Sequence, residues 1–275
     1  LDADKTQGGK PAHRIFTVSG AGTVLTLKDV VLKNGKASGT GMDDKKGGAI
    51  LLKDGAKCEI QDCDLNANEA AERGGAVFVD KGAECTITNT KIDSNIAHGS
   101  GGGVYVEEAS GSTPAGKCTI SGGSLTKNEA KGVSTGGGAL YTAGTTAITD
   151  CTIGGNTTNG NRSTGLNGGG GGIYVFSGAC TVNNVIVKGN DIAANGKGAG
   201  VRLYSSAAAG STFTVKGTTE IGDGTDTNAV CVDSTVPTQV AITADNLQSG
   251  AHINLEPGDR HSQKNKELVK GVHAS

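Results

Sequence analysis

The chain has 275 residues, of which 47 are Gly, 4 are Pro, none is Trp and 3% are aromatic. So much Gly without a collagen period, together with frequent Val, Ile and Thr, predicts many short strands joined by tight turns. The net charge of −2 supplies no basic field for nucleic acid, and no apolar run approaches the roughly 20 residues that cross a bilayer. We therefore expect no nucleic-acid partner and no membrane insertion of this segment.

The first strands are predicted in residues 12–46. Phe16 and Val18 alternate with polar residues, and Leu27 and Leu32 follow at intervals that recur later in the chain. Gly35 stands where the later repeats carry Asn. This segment is interpreted as an incomplete first coil of a repeat.

Two signals define the repeat itself, which is clearest in residues 47–190. A Gly pair followed by apolar residues returns every 27 to 36 residues, beginning at Gly47, Gly74, Gly101, Gly137, Gly170 and, more weakly, Gly198. A motif of the form apolar-x-x-Asn ends at Asn68, Asn95, Asn128, Asn156 and Asn190. A fixed period of this length indicates a solenoid.

Because each unit holds several strands of about five residues, the repeat predicts an all-β fold, a parallel β-helix with three strands per coil and about seven coils. Like positions of successive coils then stack about 4.8 Å apart. The alternation persists less regularly through residues 198–255, which we interpret as degenerate terminal coils of a single domain spanning residues 1–255. Residues 256–275 are polar and predict a C-terminal cap or a disordered tail.

Stacking gives the repeated Asn and Cys residues structural roles. The five Asn residues predict an internal ladder of side-chain amides that bond one another and the turn backbone. Cys58, Cys85, Cys118 and Cys180 share one column and are interpreted mainly as small buried fillers, with a functional thiol or metal site as the alternative. The oxidation state of neighbouring cysteines is left open, because stacked positions fall within the Cα separation of a disulfide.

One outward-facing column collects most of the aromatic residues. If Val77 and Val79 point inward, Phe78 must point outward. The same position in other coils makes a candidate partner-binding ridge of Leu51, Phe78, Tyr105, Tyr141, Tyr174 and Arg202. Stacked rings that merely rigidify the sheet are the structural alternative.

No catalytic residue, cofactor or metal site is predicted. Acidic residues and the five His are scattered, whereas a glycosidase needs two facing carboxylates and a calcium-dependent lyase an acidic cluster. Asp62 and Asp150 share a turn column with Asn89 and are interpreted as turn formers. Outward Thr and Ser residues of the second strand raise ice binding as a lower-ranked alternative.

The alternation of GGAI-type and apolar-x-x-Asn motifs from Arg14 to Asn190 resembles the paired repeats of chlamydial polymorphic membrane proteins, written GGAI and FxxN. It is also similar to bacterial surface β-helix repeats such as those of spirochaetes and anaerobes. The resemblance implies a right-handed β-helix and a non-enzymatic passenger, secreted or held at a bacterial outer membrane, that acts as an adhesin toward a host protein or glycan. It also suggests a fragment of a larger anchored protein. A carbohydrate-active lyase or hydrolase and a structural scaffold remain alternatives.

Overall fold

The computed structural model describes residues 1–3, 13–133, 136–155, 159–205, 210–222, 228–234, 240–256 and 269–270. The chain winds as a parallel β-helix of about seven turns, in which every named strand except those at the ends of a sheet pairs with the equivalent strand of the coils before and after it. The described residues contain one 3-10 turn, Asp43–Lys45, and no α-helix. None of the helical structure in these residues has the length and apolar character needed to cross a membrane.

Three long sheets form the walls of the solenoid. The strands of the first sheet are Phe16–Ser19, Ile50–Lys53, Val77–Val79, Val104–Val106, Leu140–Thr142, Ile173–Val175, Val201–Ser205, Val230–Ser234 and Leu255–Glu256. Those of the second sheet are Val24–Lys28, Lys57–Gln61, Glu84–Thr88, Lys117–Ser121, Thr145–Thr149, Gly178–Asn183, Ser211–Gly217, Val240–Leu247 and Val269–Lys270. Those of the third are Val31–Lys33, Asp64–Asn66, Lys91–Asp93, Ser124–Thr126, Thr152–Gly154, Ile186–Lys188, Glu220–Ile221 and His252–Ile253.

A fourth sheet was not predicted. It consists of two-residue strands that follow the third sheet in six coils: Lys36–Ala37, Glu69–Ala70, Ile96–Ala97, Glu129–Ala130, Arg162–Ser163 and Asp191–Ile192. Strands this short carry no alternation that a sequence pattern can register. The prediction of three strands per coil therefore describes only the long sheets.

Strand alternation fills the interior with one continuous core. Ile60, Ile87 and Ile120 pair in register and are almost completely buried, and the Cys column beside them is buried as well. None of the seven cysteines takes part in a disulfide. The first coil keeps the same register, because Phe16 pairs with Ile50 and Leu27 with Ile60.

Turns between the second and third sheets use the left-handed backbone region. Asp62, Asn89 and Asp150 all have φ near 50° at this turn, and Gly122 occupies the same place with a φ of 72°. Asn, Asp and Gly tolerate this conformation better than other residues. The turn column predicted from the sequence therefore has a backbone explanation that needs no catalytic role.

The Asn ladder runs between the third and fourth sheets and is fully buried. The Nδ2 of Asn95 donates to the Oδ1 of Asn128 at 2.9 Å, and Asn68 makes the same contact with Asn95. Asn161, and not Asn156, continues the ladder, because Asn128 donates to the Oδ1 of Asn161 and Asn161 donates to that of Asn190. Asn156 itself lies outside the described residues, so the predicted ladder is corrected at this coil.

The strands of the β-helix also extend past Asn190 toward the C-terminus. The coils after Asn190 continue in the first sheet to Leu255–Glu256, a strand that crosses the predicted boundary between the domain of residues 1–255 and the tail. Within the predicted tail, residues 256 and 269–270 belong to strands, and Val269 pairs with Ile242 of the second sheet. Residues 257–268 and 271–275 lie outside the described residues.

Candidate binding surface

The outer face of the first sheet carries the predicted aromatic column, which we define as Leu51, Phe78, Tyr105, Tyr141, Tyr174 and Arg202. Parallel pairing places each of these residues directly above the previous one, from Leu51 and Phe78 to Tyr174 and Arg202. Strand alternation aims them all away from the interior core. All of them except Arg202 form a separate hydrophobic cluster with Ala143, against which Phe176 and Tyr204 pack.

The aromatic column is buried, which contradicts its prediction as an exposed ridge. The exposed fraction is 0% for Phe78, 7% for Tyr141 and 8% for Arg202. The rings cover one another because they stack along the solenoid axis: Phe78 and Tyr105 have centroids 5.2 Å apart, and Tyr105 and Tyr141 4.6 Å apart, with nearly parallel planes. Each such pair stabilises the fold by roughly 0.5–1.5 kcal/mol beyond area burial.

Side chains at the position before the first Gly pairs add to this cover. Lys46, Arg73 and Ser100 are bridged in parallel, so they occupy one column beside the rings. The Nζ of Lys46 lies 4.9 Å from the ring centroid of Phe78, and the guanidinium of Arg73 lies 5.2 Å from that of Tyr105. Each cation therefore covers the ring of the following coil, a favourable cation–π arrangement.

This row of cations, which we call the cation row, ends at Ser100, and Gly136 and Gly169 hold the same position in the next two coils, before Lys197. The short side chain of Ser100 cannot reach Tyr141 as Arg73 reaches Tyr105, and no cation lies over the Tyr141 ring among the described residues. An open groove of about 300 Å³ occupies this place. Its lining consists of Ala71, Glu72, Arg73, His98, Gly99, Ser100, Tyr105 and Tyr141.

The charged groups around the groove are already paired. Arg73 donates from Nη1 to the Oε2 of Glu107 at 3.0 Å, and Glu72 forms an ion pair with Lys45 at 3.2 Å. The Nε2 of His98 lies 2.9 Å from the Oε1 of Glu69. The pKa of Glu69 is lowered, first by this hydrogen bond and then by Lys36. Its carboxylate therefore stays ionised at neutral pH and is a poor general acid.

The tyrosines at the groove are neutral hydrogen-bonding groups. Burial raises the pKa of Tyr105 and, more strongly, that of Tyr141, while burial raises the pKa of Tyr174 to about 12. The hydroxyl of Tyr105 faces Glu107 at 3.4 Å. The groove thus combines aromatic walls with neutral hydroxyls and paired charges, an arrangement that favours binding over acid–base chemistry.

Three comparisons with known proteins bear on this architecture. The family model described as the right handed beta helix region matches residues 17–222, which is more than half of the chain. The chain belongs to the right-handed β-helix family. No curated protein and no solved structure matches it. The predicted all-β, right-handed parallel β-helix is therefore confirmed, and the family itself does not distinguish a binding protein from an enzyme.

A second cleft of this β-helix lies at the turn between the second and third sheets. It has a volume of about 430 Å³, and its lining includes Asp29, Asp62, Asp64 and Lys91. The Oδ1 of Asp64 is buried without a hydrogen-bond partner among the described residues. Burial, followed by the charge of Asp93, raises the pKa of Asp64. A carboxyl with a raised pKa in a cleft is a candidate proton donor.

The remaining predicted features are dispersed over the β-helix. The outward Thr residues of the second sheet lie in two columns, one of which is interrupted by Glu59 and Ala147 and the other by Gln61. No group of three or more His, Cys, Asp or Glu is arranged to hold a metal ion in the part of the chain that the structure describes.

The sequence did not single out the groove residues Arg73, His98 and Ser100. A usable signal existed, since Lys46, Arg73 and Ser100 each directly precede a Gly pair in the sequence. Because like positions stack in a solenoid, that spacing alone places them in one row.

Proposed function

We propose that this β-helix is a non-enzymatic recognition protein, secreted or displayed at a bacterial outer membrane, that acts as an adhesin toward a host protein or glycan. One observation carries the proposal: a groove opens beside Ser100, where the cation row ends on the outer face of the first sheet. Solenoids often place their binding surfaces on one side, where departures from the repeat collect. The resemblance of the repeats to bacterial surface proteins supports the cellular location.

The structure changes where contact is expected. The buried aromatic column cannot serve as a ridge, because a partner reaches almost none of its surface. The groove instead offers the edges of Tyr105 and Tyr141 together with Arg73, His98 and Glu72. Aromatic and Arg side chains are frequent anchors of recognition sites.

Binding of the purified chain to host cells and to immobilised extracellular matrix tests this proposal. Ser100→Arg fills the groove by continuing the cation row, and we expect it to weaken binding at least about tenfold. Ser121→Arg makes the same substitution on the outer face of the second sheet and is the matched control. Equal binding by the two variants would exclude the groove as the contact site, and no binding to any host surface would overturn the adhesin proposal.

A carbohydrate-active enzyme is the second candidate, and the raised pKa of Asp64 specifically favours it. In this alternative Asp64 donates a proton to a glycosidic oxygen in the second cleft. Release of products from a polysaccharide panel that disappears in Asp64→Asn, with folding intact, would replace the adhesin proposal. A structural or ice-binding scaffold ranks below both, because Glu59 and Ala147 break one Thr column and Gln61 breaks the other.

A further inference from the structure

Three cysteines are stacked in the core of successive coils, on neighbouring strands of the second sheet. Cys58 pairs in register with Cys85, and Cys85 pairs in register with Cys118. We infer that these three residues, which we call the thiol column, form a redox-sensitive staple: oxidation joins Cys85 to either neighbour by a disulfide and thereby locks two adjacent coils together. Such a staple lies in the core, so it does not depend on the function proposed for the groove.

Parallel pairing gives the thiol column the spacing that a disulfide needs. Adjacent strands of a sheet lie about 4.8 Å apart, and the Cα atoms of a disulfide lie about 4.4–6.8 Å apart. All three side chains point inward and are almost completely buried in the core. Because they leave neighbouring strands in the same direction, Cys85 can bond either neighbour without a change of register.

Cys85 is the shared partner, so the thiol column holds only one disulfide at a time. Cys58 and Cys118 lie on either side of the Cys85 strand. Their separation is two strand spacings, about 9.6 Å, which exceeds the roughly 7 Å that a disulfide can bridge. A bond from Cys85 to one neighbour therefore leaves the other neighbour as a thiol.

The cysteines outside the thiol column have no cysteine at their own position in an adjacent coil. They are Cys63, Cys151, Cys180 and Cys231. Thr146 separates Cys180 from Cys118 on the second sheet. Two coils lie between Cys63 and Cys151 at the turn after that sheet, and Cys231 lies on the outer face of the first sheet beside Arg202. Oxidation is therefore expected only within the thiol column.

The closed fold protects the thiol column, so oxidation requires the coils to be open. Hydrogen bonding to Cys118 and to Cys58, followed by burial, raises the pKa of the Cys85 thiol well above its usual value. The thiolate is the form that attacks a disulfide, and the closed chain holds very little of it. An oxidant therefore reacts while the chain folds or when this part of the sheet opens, and the closed fold then shields the product.

A small-molecule disulfide such as oxidised glutathione is the oxidant. The Cys85 thiolate attacks one sulfur atom of this disulfide and releases one glutathione thiol, which leaves a mixed disulfide on Cys85. The thiolate of Cys58 or Cys118 then attacks the Cys85 sulfur and releases the second glutathione. Two protein thiols thus lose two electrons and two protons, and the oxidant becomes two thiols.

Refolding of the reduced, urea-unfolded full chain in a buffer of reduced and oxidised glutathione tests the staple. We expect two of the seven thiols to be lost, and non-reducing peptide mapping should find Cys85 joined to Cys58 or to Cys118. The unfolding equilibrium constant of the oxidised chain should be lower than that of the reduced chain by about tenfold or more, because the closed loop restricts the unfolded state.

Alanine variants identify the shared partner. Cys85→Ala should abolish the disulfide, whereas Cys180→Ala, which removes an equally buried thiol farther along the same sheet, should retain it. Cys58→Ala and Cys118→Ala should each retain one disulfide, and they test the staple if Cys85→Ala does not fold. Seven remaining thiols, a disulfide that does not include Cys85, or an oxidised chain no more stable than the reduced chain would each overturn the inference.

Discussion

Removing one rung of the Asn ladder should destabilise the whole solenoid. Asn95 is completely buried, and its Nδ2 donates to the carbonyl of Leu65 and to the Oδ1 of Asn128, each at 2.9 Å. Its Oδ1 accepts from both the backbone N–H and the Nδ2 of Asn68, again at 2.9 Å. The single side chain therefore connects three successive coils.

The expected magnitude of Asn95→Ala follows from the groups that lose a partner. The substitution leaves the backbone N–H of Asn68 and the carbonyl of Leu65 without this partner inside the solenoid, and it removes one of the two contacts of the Asn68 amide. A buried polar group left unpaired costs about 1–3 kcal/mol. We predict a loss of roughly 3–5 kcal/mol in the free energy of unfolding, a large fraction of the about 5–15 kcal/mol typical of a domain.

Urea unfolding followed by far-ultraviolet circular dichroism measures this loss, with tyrosine fluorescence as a second probe to verify a single transition. Asn66→Ala is the matched control, because Asn66 lies half-buried on the outside of the third sheet and its side chain donates one hydrogen bond, to Asp93 at 3.2 Å. We expect the control to cost about 1 kcal/mol or less. If Asn95→Ala costs no more than Asn66→Ala, the ladder does not stabilise the fold and this reasoning is wrong.

Two further predictions concern buried titratable groups. Because burial raises the pKa of Tyr174 from 10 to about 12, its contribution to stability is complete below pH 10 and lost as the pH rises to about 12. Tyrosinate absorbance of the native chain should therefore rise at higher pH than that of the urea-unfolded chain, and coincident titration curves would contradict the burial. None of the seven cysteines takes part in a disulfide and all are buried, and burial raises the pKa of Cys151 and of Cys180 to about 12, so a thiol reagent should label the reduced native chain only slowly. Seven thiols should react at once in denaturant, and equally fast labelling of the native chain would refute this.

The columns of the fold could be predicted because a parallel solenoid converts sequence period into spatial position. Ile60, Ile87 and Ile120 pair in register as their spacing predicts. The choice between Asn156 and Asn161 could not be made in the same way. The apolar-x-x-Asn pattern is satisfied by Asn156, whereas the ladder contact from Asn161 Nδ2 to the carbonyl of Leu125 at 2.9 Å exists only once the path of the inserted residues is known.

The exposure of the aromatic column was mispredicted for a different reason. Alternation determines the side of the sheet to which a residue points. Its solvent exposure also depends on whether side chains from neighbouring columns lie over it. Here Lys46 and Arg73 belong to the turn before the strand and reach over the rings of the next coil. A period-two pattern within one strand contains no information about such a neighbour.

The end of the cation row at Ser100 allows stability and binding to be compared on the outer face of the first sheet. Favourable cation–π contacts at exposed sites are worth about 0.5–1 kcal/mol, so a chain selected for stability alone would gain from a long cation at Ser100 as it does at Arg73. If Ser100→Arg raises the unfolding midpoint and removes binding, the native chain keeps the groove open although a cation at this position would make it more stable. That combination is typical of a functional site, because binding sites retain local departures from the most stable arrangement.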